Sequence, residues 1–246
     1  MAGRGPGGGL SLAGAAQPAG ACDNRAVDGA QDSFAGLSLA EFADRLASAE
    51  PVPGGGSASA IAACLAASLL AMVSRLSLDR PKYEAYQELN SRTLEWADAA
   101  RHRLLDLADE DARAYAGLIA ARKLPKDTPD EQAERDARIR AAARQAAEAP
   151  LAAIRECATL IDRIGSMAGR SNLNAASDLE VAARLCAAAA RGAAANVRIN
   201  LPSVGDARYT GAVTAELEGL LHGIEREALQ ASQRVAGGVL RGPADG

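Results

Sequence analysis

Aromatic side chains make up only 3% of this 246-residue chain, with one tryptophan, four tyrosines and two phenylalanines. Runs of β-branched residues are almost absent, while alanine dominates. That combination points to helices. Histidine is scarcer still: His102 and His222 lie far apart and outside any HExxH pattern. A dedicated transition-metal site has little to build on, and no metal is expected. Four cysteines, Cys22, Cys64, Cys157 and Cys186, form no CxxC pair. Three sit among alanines at helical positions and read as small buried hydrophobes in a reducing compartment, not as disulfides or zinc ligands.

Basic excess is also missing. The net charge is −4 and the isoelectric point is near 5.4, so no nucleic-acid partner is expected. The first thirty-odd residues lack a continuous apolar run of signal-peptide length. Residues 1–35 read as a Gly/Ala-rich disordered leader, and a cytoplasmic location is expected. One uncharged stretch, residues 57–74, is long enough to raise the question of a membrane span. It is mostly Ala and Ser with few large aliphatics, so a buried core helix is expected and no membrane partner.

What is present is a succession of helix signals. Ser38-Leu-Ala-Glu41 is a capping box opening a short amphipathic helix that ends before Pro51. PVPGGGS then breaks the chain ahead of a helix over about 57–78, with small residues at four-residue spacing that let backbones approach closely. Pro81 opens a third helix to about Arg122. Thr128-Pro-Asp-Glu131 is a second capping box, opening a fourth helix that Pro150 kinks or restarts and that continues to about Met167. Ser177-Asp-Leu-Glu180 caps a fifth helix to about Asn200. LPSVGD turns the chain into a last helix over about 207–235, followed by a flexible tail over 240–246. The expectation is one all-α domain over residues 36–239, with about six helices packed as a bundle and no internal repeat.

Helical facing selects the candidate polar groups. At about 100° per residue, Tyr86, Asn90, Ala97, Leu104, Ala108, Tyr115 and Leu118 fall within roughly 60° of Asp111, which places Asp111 on the apolar seam. Asp109 falls on the opposite, charged side with Glu95, Asp98, His102, Asp106 and Arg113. A carboxylate on a core seam needs a partner, or its pKa rises. Asp111 is therefore either a paired structural acid or a chemical group. On the fifth helix Asp178 lines up with Ala182, Leu185, Ala189, Ala193 and Asn196, and Asn200 lies a turn further. Arg184, Arg191 and Arg198 occupy the other face. Asp178 in a first turn also suits the helix dipole, and Asn196 and Asn200 also suit interhelical hydrogen bonds. The glycines Gly54, Gly55 and Gly56 either relieve a tight reversal with Ser57 as N-cap, or leave helix N–H groups open to an anion. No GK[ST] follows them, so this is not a Walker motif.

Taken together, PGGGSASA, the DEDARAY and KLPKDTP pair, and SNLNAASDLEVAA followed by NVRINLPSV resemble the cyclodeaminase/cyclohydrolase family, in the same order and spacing over roughly residues 37–235. This is the type of the C-terminal domain of formiminotransferase-cyclodeaminase and of stand-alone methenyltetrahydrofolate cyclohydrolases. The resemblance implies an all-α fold, a homodimeric core and action on the one-carbon unit bridging N5 and N10 of tetrahydrofolate, with no cofactor beyond that substrate. It also implies Asp111 as general acid/base, with Asp109 the runner-up, and Asn172 with Asp178 lining the site against the pterin. Gly54, Gly55, Gly56, Ser57, Lys82, Lys123 and Lys126 are the groups available for the glutamate tail, and the glycines with Lys126 are the choice made here. With a Gly/Ala leader and no formiminotransferase domain, the expectation tilts to the cyclohydrolase reaction. The cyclodeaminase reaction is the first alternative, and a non-catalytic helical dimer serving as a binding module is the second.

Overall fold

The structure, a computed structural model, describes residues 33–243. The expected leader, and with it Cys22, lies outside the described residues except for its last three positions. Among the described residues there is no strand. Six helices follow in order: α1 (Leu39–Ala47), α2 (Gly55–Arg75), α3 (Gln87–Arg122), α4 (Pro129–Met167), α5 (Ala176–Asn200) and α6 (Ala207–Ala236). Short 3-10 segments precede α1, α3, α5 and α6. This is the all-α bundle expected from the composition.

Both capping boxes are present. Ser38 and Glu41 exchange side-chain and backbone bonds at the start of α1, and Thr128 and Glu131 do so at the start of α4. Three other helix starts differ from expectation. Pro81 opens a 3-10 segment, Pro81–Tyr86, in which Tyr83 leaves helical conformation, so α3 itself begins at Gln87. Helix α2 begins at Gly55, two residues early, because the Ala58 N–H already bonds the Gly54 carbonyl at 3.0 Å and Gly54 is extended. Ser57 is thus not the N-cap but sits in the first turn, fully buried. Ser177 is not a cap either. A 3-10 turn, Leu173–Ala175, precedes α5, and Asn172 caps it by accepting from the Asn174 N–H.

Helix α2 is the centre of the core, packed against α3 and α5. By length and composition it is long and apolar enough to cross a membrane, yet 61% of the most apolar stretch is buried within the fold. Its small residues allow that packing: Ala63, Ala66, Ala67 and Ala71 are buried. At Gly192 of α5 the backbones come so close that an added Cβ would stand 2.3 Å from Ser59 Oγ. Leu70, Leu104, Leu151, Ile154, Leu160 and Ile161 fill the space between these alanine-rich surfaces. Cys64, Cys157 and Cys186 are buried and unpaired.

Helix α4 runs unbroken through Pro150. Proline lacks the N–H that would bond the carbonyl four residues back, and that carbonyl, on Ala146, instead accepts from Asn200 Nδ2 at 3.0 Å. Residues 240–243, expected to be a flexible tail, are tied down. The Arg241 N–H bonds the Gly169 carbonyl at 2.8 Å, Tyr86 donates its hydroxyl to the Arg241 carbonyl, and Arg170 Nε donates to the Gly242 carbonyl at 2.7 Å. Residues 244–246 lie outside the described part.

Candidate active site

The start of α2, the C-terminal half of α3 and the end of α5 meet around Asp111. They enclose a cavity of about 330 Å³ lined by Gly54, Gly55, Gly56, Asp111, Asn196 and Asn200, together with Pro51, Val52, Tyr115, Leu118, Arg122, Ala146 and Ile199. That volume lies at the small end of the range for ligand sites. Sequence facing put Asp111 inward, and the structure makes it half-buried in this wall.

Its partner is a hydroxyl, not a cation. Ser57 Oγ lies 3.0 Å from Asp111 Oδ2 and also 3.0 Å from the Ala108 carbonyl. One hydroxyl hydrogen faces two acceptors, so its direction follows the charge on Asp111. With the carboxylate ionised, the hydroxyl donates to it. With the carboxyl protonated, Asp111 donates to Ser57 Oγ, and the hydroxyl turns to the Ala108 carbonyl. Burial raises the Asp111 pKa above the ordinary carboxylate value, opposed by hydrogen bonding from the Ser57 hydroxyl and N–H. A carboxyl poised in this way both accepts and returns a proton.

The glycines allow this approach. A Cβ on Gly56 would stand 2.2 Å from Asp111 Oδ1, and one on Gly55 would stand 3.4 Å from Asn196 Nδ2. The N–H groups of Gly55, Gly56 and Ser57 occupy the first helical turn, where no intrahelical acceptor exists; Gly54 has no side chain to cap them, and Asp111 accepts from the Ser57 N–H alone. The positive end of the α2 dipole therefore opens on the cavity. Asn196 donates to Gly192 and Asn200 donates to Ala146 and Asn196, all through Nδ2. Their side-chain carbonyl oxygens are left to accept from a ligand.

Other expected site residues lie elsewhere in the chain. Asn172 is part of a buried tie at the opposite end of the bundle. Its N–H bonds Ser77 Oγ at 2.8 Å, its Nδ2 bonds the Leu76 carbonyl, and its Oδ1 faces the Tyr83 hydroxyl. Lys82 lies at that end too, 5.6 Å from the centre of the Tyr83 ring. Asp178, half-buried in the first turn of α5, is about 27 Å along that helix from Asn196. Lys126 is exposed in the loop between α3 and α4, outside the cavity lining, and so is Lys123. Asp109 serves a structural purpose: it accepts from the Phe34 N–H at 2.9 Å and from the Ser33 hydroxyl, tying the first 3-10 turn to α3.

Sequence reasoning missed Arg122, the cation that lines the cavity, although it lies on the Asp111 stripe at positions 111, 115, 118 and 122. That spacing was the available signal. Among the described residues no three His, Cys, Asp or Glu side chains gather as a metal site.

The pattern of the formiminotransferase-cyclodeaminase family matches residues 38–219. The chain is 37% identical over 180 residues to a methenyltetrahydrofolate cyclohydrolase of Methylorubrum extorquens, covering 73% of this chain and 86% of that one. It is 34% identical over 200 residues to the formimidoyltransferase-cyclodeaminase of Sus scrofa, covering 81% of this chain but only 37% of that longer protein. In three dimensions it resembles a formiminotetrahydrofolate cyclodeaminase from Thermotoga maritima, with a TM-score of 0.75 and 30% identity over 82% of this chain and 98% of the other. The chain belongs to the formiminotransferase-cyclodeaminase family.

Proposed function

We propose that this protein is a one-carbon folate enzyme that hydrolyses 5,10-methenyltetrahydrofolate to 10-formyltetrahydrofolate, with Asp111 as its general acid/base. The observation that carries this reading is the half-buried Asp111 carboxyl, raised in pKa and set between the open α2 N-terminus and Asn196 in a ligand-sized cavity.

The methenyl carbon is an electrophile between N5 and N10. Ionised Asp111 takes a proton from water as the oxygen bonds to that carbon, giving a tetrahedral adduct. The carboxyl then returns the proton to N5 as the carbon–N5 bond breaks. The adduct hydroxyl loses its proton to solvent, leaving the formyl group on N10. The carboxylate also stabilises the amidinium charge of the bound substrate. Folate carries carboxylates at its glutamate end, and Arg122 and the α2 N–H groups are the cavity's complement to them.

The cyclodeaminase reaction is the second reading, favoured by the likeness to the cyclodeaminase structure. There N10 attacks the carbon of the protonated formimino group, Asp111 takes the N10 proton and delivers it to the departing amine, and ammonia leaves with the methenyl cation formed. Both reactions need one proton carrier beside one tetrahedral carbon. Assaying purified protein against methenyl- and formiminotetrahydrofolate in parallel separates them. Faster loss of the methenyl chromophore supports the first, ammonia release supports the second, and neither refutes both.

A homodimer, a cytoplasmic location and the absence of any further cofactor belong to the same reading. The exposed apolar side chains of Leu65 and Met72 on α2 and of Val181 and Ile199 on α5 support the dimer.

A further inference from the structure

We infer that Pro150 is a positioning residue: lacking an N–H in the interior of α4, it leaves the Ala146 carbonyl free to fix the Asn200 amide, which sets an oriented hydrogen-bond acceptor in the wall of the Asp111 cavity. The observation is a proline where a helix tolerates it least. Pro150 lies within the 39-residue α4 and is buried. Proline there removes one bond of the helical ladder, and its ring presses on the carbonyl four residues back. What takes up that carbonyl comes from another helix.

Asn200, the last residue of α5, supplies the donor. Its Nδ2 donates to the Ala146 carbonyl at 3.0 Å and to the Asn196 carbonyl at 2.9 Å. An amide nitrogen carries two hydrogens, and both are now assigned. Turning the amide over would set its oxygen against two carbonyl oxygens, leaving three acceptors without a donor. Oδ1 is therefore held as an acceptor, and Asn200 and Ala146 both line the cavity.

A residue with an N–H at position 150 undoes this arrangement. Its N–H draws the Ala146 carbonyl into the ladder of α4, and the ring that pressed the carbonyl aside is gone. Asn200 is then left with the Asn196 bond, which lies within its own helix, and the amide turns about that single contact. A fixed acceptor meets a substrate N–H without the cost of ordering a side chain. Such a bond serves the bound substrate and the transition state alike, so its loss falls on KM.

The test compares Pro150→Ala with Pro150→Val, which restores the N–H while keeping nearly the bulk of proline. Its kinetic arm rests on the folate reading. Both variants are expected to keep wild-type helical circular dichroism and to raise KM by about 2–10-fold, the scale of one hydrogen bond, with kcat little changed. Asn200→Ala is expected to raise KM at least as much, and Pro150→Ala added to it changes nothing further, because the two act through one bond. In crystal structures of both Pro150 variants, the N–H of residue 150 bonds the Ala146 carbonyl and Asn200 Nδ2 has left it. An Asn200–Ala146 bond kept in both variants, an unchanged KM where that bond is gone, a loss in Pro150→Ala that Pro150→Val does not share, or additive effects of Pro150→Ala and Asn200→Ala would each overturn the inference while leaving the folate reading standing. A wild type inert on both folates removes that reading instead. The crystal structures then decide, Asn200 released in both variants supporting the inference and Asn200 unmoved refuting it.

Discussion

Gly56 and Asp111 are in such close apposition that a single methyl group on Gly56 would fall 2.2 Å from Asp111 Oδ1 and 2.5 Å from its Cγ. Helical glycine normally costs stability relative to alanine, so its place here follows from the carboxylate above it. Gly56→Ala must displace Asp111. We expect folate turnover to fall by about 100-fold, the usual scale of a displacement near 1 Å, with the fold retained. Gly117→Ala, on α3 with nothing near its added Cβ, is expected to raise stability by about 0.5–1 kcal/mol and leave turnover unchanged. Steady-state rates and melting curves of both variants check this.

Asp111→Asn separates chemistry from stability. The carboxyl's pKa is raised chiefly by burial, so the folded chain holds its proton more tightly than the unfolded chain does. That contribution is complete below the ordinary carboxylate value and is lost as pH rises through the raised one. At neutral pH the ionised group therefore costs stability. Asparagine still accepts from Ser57 but carries no charge. We expect its melting temperature at pH 7 to equal or exceed wild type, while turnover falls by about 10²–10⁴. Asp109→Asn is expected to keep turnover, since Asp109 ties down the Phe34 turn.

Ser57→Ala removes one of the bonds that hold the Asp111 pKa down. The carboxyl titrates at higher pH as a result. For a reaction that begins with ionised Asp111, the acidic limb of the rate profile moves to higher pH, and turnover at pH 7 falls. A profile unchanged from wild type would show that Ser57 does not tune the proton carrier.

The fold was legible in the sequence wherever a local rule decided it. The boxes at Ser38 and Thr128 acted as their chemistry directs, while Pro81 opened a 3-10 segment and not α3 itself. At Ser57 a local rule met a tertiary one and lost, and at Ser177 another local feature, the 3-10 turn capped by Asn172, had already started the helix. The Ser57 hydroxyl is taken by Asp111 and the Ala108 carbonyl, contacts that no window of sequence contains. Helical facing found Asp111, Asn196 and Asn200 because it reports which side a residue is on. It says nothing of height along the bundle, so Asp178 shares a stripe with Asn196 at the far end of its helix, while Asn172 entered only through the family resemblance. Arg122 was readable on the Asp111 stripe, yet the lysines of the neighbouring loop were preferred for their charge.

Arg122 lines the cavity about 16 Å along α3 from Asp111. Arg122→Ala is expected to raise KM by about 10–100-fold, the worth of one charge-assisted bond to a carboxylate, with kcat little changed. Lysine in its place restores part of the loss. An effect on kcat alone would put Arg122 in the chemistry.

The central claim is that Asp111 carries the proton in a folate one-carbon reaction. The most direct measurement follows the absorbance of 5,10-methenyltetrahydrofolate with wild-type and Asp111→Asn protein at equal concentration and pH. Rapid decay with wild type and near-buffer decay with Asp111→Asn is the predicted result. Equal decay with the two proteins would contradict it.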